Sequence, residues 1–161
     1  SGTFNTTGDA TFTNYSSGID GMTISGDINT TGKATYTNNG AGGLNIENGG
    51  NIIASNGLEM LNTGEGGLNI DGAVTNTGTG TITNKAGELN IGGSFTNTGN
   101  ATVLNDGTKL AISGNVTGKN GTMDITNNGA EGLIVEDSGR VDTQGLNMTN
   151  TGEGGLNIDG D

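Results

Sequence analysis

Cysteine, proline, histidine and tryptophan are all missing from this chain of 161 residues. Without cysteine there is no disulfide framework and no thiolate metal site. Without histidine as well, Ser-His and Cys-His catalysis and ordinary zinc sites have no residues to work with. Only Lys33, Lys85, Lys109, Lys119 and Arg140 are basic, against 17 acids, for a net charge of −12. Nucleic acid and anionic membranes bind basic patches, so neither partner is expected. No stretch is apolar enough for a transmembrane helix, and none reads as a signal peptide. Apolar residues make up 29% of the chain and aromatics 3%, a balance that in an aperiodic chain indicates disorder.

The chain is strongly periodic, however. The phrase NTGEGGLNIDG stands at 62–72 and again at 150–160. A tripeptide of related type recurs as Met22-Thr23-Ile24, Leu44-Asn45-Ile46, Leu68-Asn69-Ile70, Leu89-Asn90-Ile91, Leu110-Ala111-Ile112, Leu133-Ile134-Val135 and Leu156-Asn157-Ile158. Successive spacings are 22, 24, 21, 21, 23 and 23 residues. Asn14, Asn38, Asn62, Asn84, Asn105, Asn127 and Asn150 keep the same phase. So does a bulky apolar column of Phe4, Ile28, Ile52 or Ile53, Val74, Phe95, Val116 and Val141. Disordered segments have no reason to hold three columns in register, so the pattern argues for a folded repeat array.

Each unit is too short for a strand–helix pair. The chain's 34 glycines and many asparagines mark turns, while Thr, Ile, Val and Phe mark strands. Within the strands apolar and polar residues alternate: Leu44 and Ile46 share a face, as do Ala101, Val103 and Asn105. Period two means a strand with one buried face. Three short strands per unit, joined by glycine-rich bends, describe one coil of a parallel β-helix. The expected fold is all-β: a right-handed β-solenoid of about seven coils, roughly 34 Å long at about 4.8 Å per coil. Alternation places the asparagine column inside, at a bend. A buried amide is costly unless hydrogen-bonded, so the column is expected to form an internal ladder.

The chain opens and closes at the same point of the repeat: Ser1-Gly2-Thr3-Phe4 is in phase with Ser25-Gly26-Asp27-Ile28, and Gly160-Asp161 with Gly26-Asp27. Thr37-Asn38-Asn39-Gly40-Ala41 recurs 89 residues on, as though four coils were copied as a block. The expectation for residues 1–161 is a single uncapped array, either a segment of a longer shaft or a unit that stacks end to end on itself.

Three surface constellations invite chemistry. Glu47 and Asp71 follow their tripeptides on adjacent coils, as do Glu136 and Asp159, which makes them candidate calcium ligands or an acid/base pair. The simpler reading is solubilising charge, and no resident cofactor is expected. Thr11-Phe12-Thr13, Thr35-Tyr36-Thr37 and Thr81-Ile82-Thr83 present outward threonines that resemble an ice-contacting face, although Glu59, Leu61, Leu104, Asp124 and Asn147 interrupt it. Leu61 and Leu104 should point outward and are candidates for lateral contact between rods. The Asn-x-Thr sequons at Asn5, Asn29, Asn100 and Asn115 follow from composition alone.

The repeated NTGEGGLNIDG and the strand-like VTNTGTGTITN at 74–84 resemble the passenger repeats of leukotoxin-family, filamentous-haemagglutinin-like bacterial surface adhesins. The resemblance covers essentially the whole chain. It implies a β-helix shaft, secreted through an outer membrane and displayed at the cell surface, and brings no catalytic residues. A non-catalytic structural shaft is therefore the expected function. The alternatives are a carbohydrate-binding or carbohydrate-cleaving β-helix protein, which would need a loop-lined groove, and an ice-binding solenoid.

Overall fold

The structure is a computed structural model that describes residues 2–16 and 18–160. Ser1 and Asp161, on which part of the matching of the two ends rests, lie outside the described residues. The chain winds through seven parallel coils. The first holds β1 (Thr3–Thr6), β2 (Ala10–Asn14) and β3 (Met22–Ile24). The second holds β4 (Asp27–Thr30), β5 (Ala34–Asn38) and β6 (Leu44–Ile46). The third holds β7 (Asn51–Ala54), β8 (Leu58–Asn62) and β9 (Leu68–Ile70). The fourth holds β10 (Ala73–Thr77), β11 (Gly80–Asn84) and β12 (Leu89–Ile91). The fifth holds β13 (Ser94–Thr98), β14 (Ala101–Asn105) and β15 (Lys109–Ile112).

The last two coils depart from three separate strands. In each, the first two strands run together, as β16 (Asn115–Asn127) and β18 (Arg140–Asn150), followed by β17 (Gly132–Val135) and β19 (Leu156–Ile158). Because β16 turns the corner without a break, the first and second faces join into one twelve-stranded sheet. The third faces form a separate seven-stranded sheet. The corner of β16 carries a bulge in which residues 119–121 stand opposite the single Gln144. Asn120 there takes a left-handed φ of 57°, which asparagine tolerates better than most residues.

Every column legible in the sequence is a register line of the fold. Val74 pairs with Ile52 and Phe95, Ile82 with Met60 and Val103, Leu89 with Leu68 and Leu110. Ile52, rather than Ile53, is the member of the apolar column: it is fully buried, whereas Ile53 is 46% exposed. The core is therefore a narrow prism, filled by one or two apolar side chains from each face of each coil. This is how a chain with few apolar residues still buries a continuous core.

The bend after the third strand demands glycine. Gly26, Gly50, Gly72, Gly93, Gly114, Gly139 and Gly160 form a column there. A Cβ on Gly93 would run into the carbonyl oxygen of Gly72, and one on Gly114 into that of Gly93. Coils can follow one another so closely only where no side chain intervenes. Coils two and three are joined by a tight turn in which the Gly50 amide donates to the Glu47 carbonyl at 2.8 Å. Gly49 supplies its positive φ of 97°. No helix among the described residues is long and apolar enough to cross a membrane.

Candidate functional site

The most organised polar feature lies inside the coil. The second strand of each coil ends on an inward asparagine, and parallel in-register stacking sets these amides one above another. Each donates from Nδ2 to the Oδ1 of the next. Asn14 to Asn38, Asn38 to Asn62, Asn62 to Asn84 and Asn84 to Asn105 are 2.8 Å each. Asn105 to Asn127 is 2.7 Å and Asn127 to Asn150 is 2.8 Å. In every member but Asn105 the second N–H reaches bend backbone, as in Asn62 to the Gly64 carbonyl at 2.8 Å and Asn127 to the Gly129 carbonyl at 3.0 Å. Asn38, Asn62, Asn84, Asn105 and Asn127 are fully buried, and only the end members Asn14 and Asn150 are partly open. The ladder thus satisfies the buried amides and holds the bends together, as the sequence predicts.

Two further ladders escaped the sequence reading. Asn76 and Asn97, on the inward face of β10 and β13, are fully buried and bonded at 2.5 Å. Their signal was the phrase Thr-Asn-Thr-Gly at 75–78 and 96–99. The short ladder ends where Ala54 replaces asparagine, which leaves Asn76 Oδ1 buried without a partner. On the outer side of the third face, Asn69 donates to Asn45 at 3.0 Å and Asn90 to Asn69 at 2.8 Å. The middle residue of the Leu-Asn-Ile tripeptide was its signal.

The candidate calcium ligands lie on the surface. Glu47, Asp71, Glu136 and Asp159 are all exposed beside the third face. Asp71 accepts from Asn69 Nδ2 at 2.7 Å, and Asp159 from Asn157 Nδ2 at 2.7 Å. Asp71 Oδ1 also lies 2.7 Å from where a Cβ on Gly92 would stand, so it leans over the fourth coil and away from Glu47 on the second. Calcium takes six to eight oxygens. Among the described residues no three His, Cys, Asp or Glu side chains group so as to hold a metal.

The outward threonines of β2, β5 and β11 are in register, with the interruptions at Glu59, Leu61, Leu104, Asp124 and Asn147 that the sequence indicates. Lys33 and Glu59 pair at 2.5 Å across this face. Leu61 and Leu104 are half-buried and separated by Thr83, so they do not form one patch. A second threonine array stands on the neighbouring face: Thr96 between Thr75 and Thr117, and Thr77 beside Thr98.

Among the described residues, two titrating side chains are perturbed. Burial pushes the Tyr36 hydroxyl well above its ordinary value; it stacks on Phe12 at 5.1 Å and its oxygen has no partner. The Asn128 amide and then Lys85 hold Asp106 below the usual carboxylate value.

These features define the class: an all-β parallel solenoid of about seven turns, built around a hydrogen-bonded asparagine ladder. Compared with family models, curated proteins and solved structures, the chain has no match.

Proposed function

We propose that this chain is a stiff, non-catalytic shaft of an extracellular bacterial adhesin or surface filament. The observation that carries the reading is the unbroken axial ladder from Asn14 to Asn150. Cross-strand backbone bonds and stacked amides both run along the rod axis, so every coil is tied to both neighbours. Each coil adds about 4.8 Å of reach. The coils vary little in length, which leaves smooth walls rather than a loop-lined groove for a sugar chain. An acidic surface keeps such rods apart at cell-surface density. The extracellular setting rests on the likeness of the repeats to those of filamentous adhesins.

The test is to place one, two and three tandem copies between two fluorescent domains and measure their separation. A rod gives a separation that grows linearly with copy number. Growth with the square root of copy number, as for a flexible linker, overturns the proposal.

The register of Thr75, Thr77, Thr96 and Thr98 favours one second reading, an ice-contacting face. A thermal-hysteresis measurement on the chain decides it, and freezing without hysteresis removes it.

A further inference from the structure

Five asparagines are followed directly by glycine: Asn39, Asn48, Asn56, Asn120 and Asn128. Such a pair is chemically fragile. Glycine places no side chain in the way as its own nitrogen approaches the asparagine side-chain carbonyl carbon. All five asparagines are exposed, so exposure does not rank them. The contacts that hold each one do.

Two are pinned. Asn128 donates from Nδ2 to Asp106 at 2.7 Å and accepts the Thr151 hydroxyl on Oδ1 at 2.8 Å. Asn39 accepts the Thr63 hydroxyl at 3.0 Å, and the Gly40 amide is itself engaged with Asn38 Oδ1 at 3.3 Å. Their glycines lie hard against neighbouring backbone. A Cβ on Gly40 would stand 2.4 Å from the Asp20 carbonyl oxygen, and one on Gly129 2.3 Å from that of Thr108. Asn120 has no side-chain hydrogen bond among the described residues, but a Cβ on Gly121 would stand 2.3 Å from the Gly99 carbonyl carbon. Asn48 and Asn56 also lack side-chain partners among the described residues, and the amides of Gly49 and Gly57 have no backbone acceptor there. Around Gly57 the nearest contact to such a Cβ is an ordinary 3.4 Å, to the Thr79 carbonyl oxygen. Around Gly49 nothing lies within 4 Å. Asn48 and Gly49 are the two middle residues of the turn that joins coils two and three, and both are exposed.

We propose that Asn48 is a site of spontaneous deamidation, with Asn56 second to it and Asn39 and Asn128 protected while the coils are folded. The Gly49 nitrogen, losing its proton to solvent base, bonds to the Asn48 side-chain carbonyl carbon. The bond from that carbon to the amide nitrogen breaks, and ammonia leaves with a proton from solvent. Water then adds to either carbonyl of the five-membered imide, and the ring nitrogen takes up a proton as it leaves that carbon. One opening gives aspartate and the other isoaspartate. Both products place a new carboxylate beside Glu47 and add to the net charge of −12. Isoaspartate also lengthens the main chain by one carbon, inside a turn that is closed by the Gly50 to Glu47 hydrogen bond at 2.8 Å. The modification therefore marks one junction between coils and leaves the asparagine ladder untouched.

The experiment is a timed incubation of the 161-residue chain at mildly alkaline pH, once folded and once in concentrated urea. Cleavage after glutamate releases residues 48–59 as one peptide, and tandem mass spectrometry assigns the amide-to-acid mass change to each asparagine. In the folded chain Asn48 should convert first and Asn56 next. Each hydrogen bond that must break beforehand slows the step by about fivefold, so Asn128, with two, should lag Asn48 by about twenty-five-fold or more. In urea the five rates should converge. Asn48→Gln, an exposed and unbonded position, should lose the earliest acidic band in isoelectric focusing. Asn39 or Asn128 converting as fast as Asn48 in the folded chain overturns the proposal. So does an Asn48 that stays intact when folded but converts in urea, or an unchanged first band in Asn48→Gln.

Discussion

Asn84 takes an N–H from Asn62, gives one to Asn105 and another to the Gly87 carbonyl at 3.2 Å, and all three asparagines are fully buried. Asn84→Ala strips a partner from both neighbours at once. An unsatisfied buried polar group costs about 1–3 kcal/mol, so a loss on the order of 2–4 kcal/mol is expected in urea unfolding. Asn14→Ala, at the half-open end, should cost well under half of that. Tyr36 poses the opposite case. Its hydroxyl is buried and unpartnered, so Tyr36→Phe should stabilise by about 1 kcal/mol, read as a rise of roughly 2–4 °C in Tm. Burial holds the folded-state value of this hydroxyl above the ordinary 10.0. The protonated form is therefore favoured by folding. Its contribution is intact below pH 10 and is lost as pH rises beyond it. Unfolding followed from neutral to strongly alkaline pH should show this slope in the unmodified chain and lack it in Tyr36→Phe.

At the scale of the coil, close approach of backbones decides which glycines matter. Gly93→Ala drives a methyl into the Gly72 carbonyl, and the bend must open. Overpacking costs of about 1–3 kcal/mol are expected, with the greatest disturbance at the joint between coils four and five. Gly8→Ala is the control, because nothing lies within 4 Å of the new methyl. It should be neutral or stabilise by up to about 1 kcal/mol, and paired thermal melts distinguish the two sites. The strands themselves were legible because each coil repeats the same constraints: an apolar tripeptide, a closing asparagine and a glycine where the backbones touch. Less legible was the fusion of strands in β16 and β18. Lys119-Asn120-Gly121 reads as a turn, yet the chain stays extended around it as a bulge opposite Gln144. The second ladder was hidden because Thr30, Ala54, Gly118 and Thr143 occupy its column elsewhere, so only Asn76 and Asn97 carry the signal.

For the rod as a whole, charge is the term that the fold leaves unbalanced. The four ion pairs, Lys33–Glu59, Lys85–Asp106, Lys109–Glu88 and Arg140–Asp142, are surface contacts among the described residues. Such pairs contribute about 0–1 kcal/mol each, and a net charge of −12 opposes compaction. Raising ionic strength from about 0.01 M to 0.15 M shortens the Debye length from about 30 Å to 8 Å, so Tm should rise across that range. A fall would mean that the ion pairs outweigh the repulsion. The candidate calcium pairs show where sequence reasoning stops. Coil phase puts Glu47 beside Asp71, but it does not say that Asp71 leans toward Gly92 and binds its own strand's Asn69. The stacked amides are what convert a polar, glycine-rich chain into a rod, and their exchange with solvent tests that most directly. Hydrogen exchange of the asparagine side-chain amides by NMR should show Asn38, Asn62, Asn84, Asn105 and Asn127 strongly protected, and exposed Asn48 and Asn56 exchanging like a free amide. Ladder amides that exchange as fast as Asn48 would contradict the account.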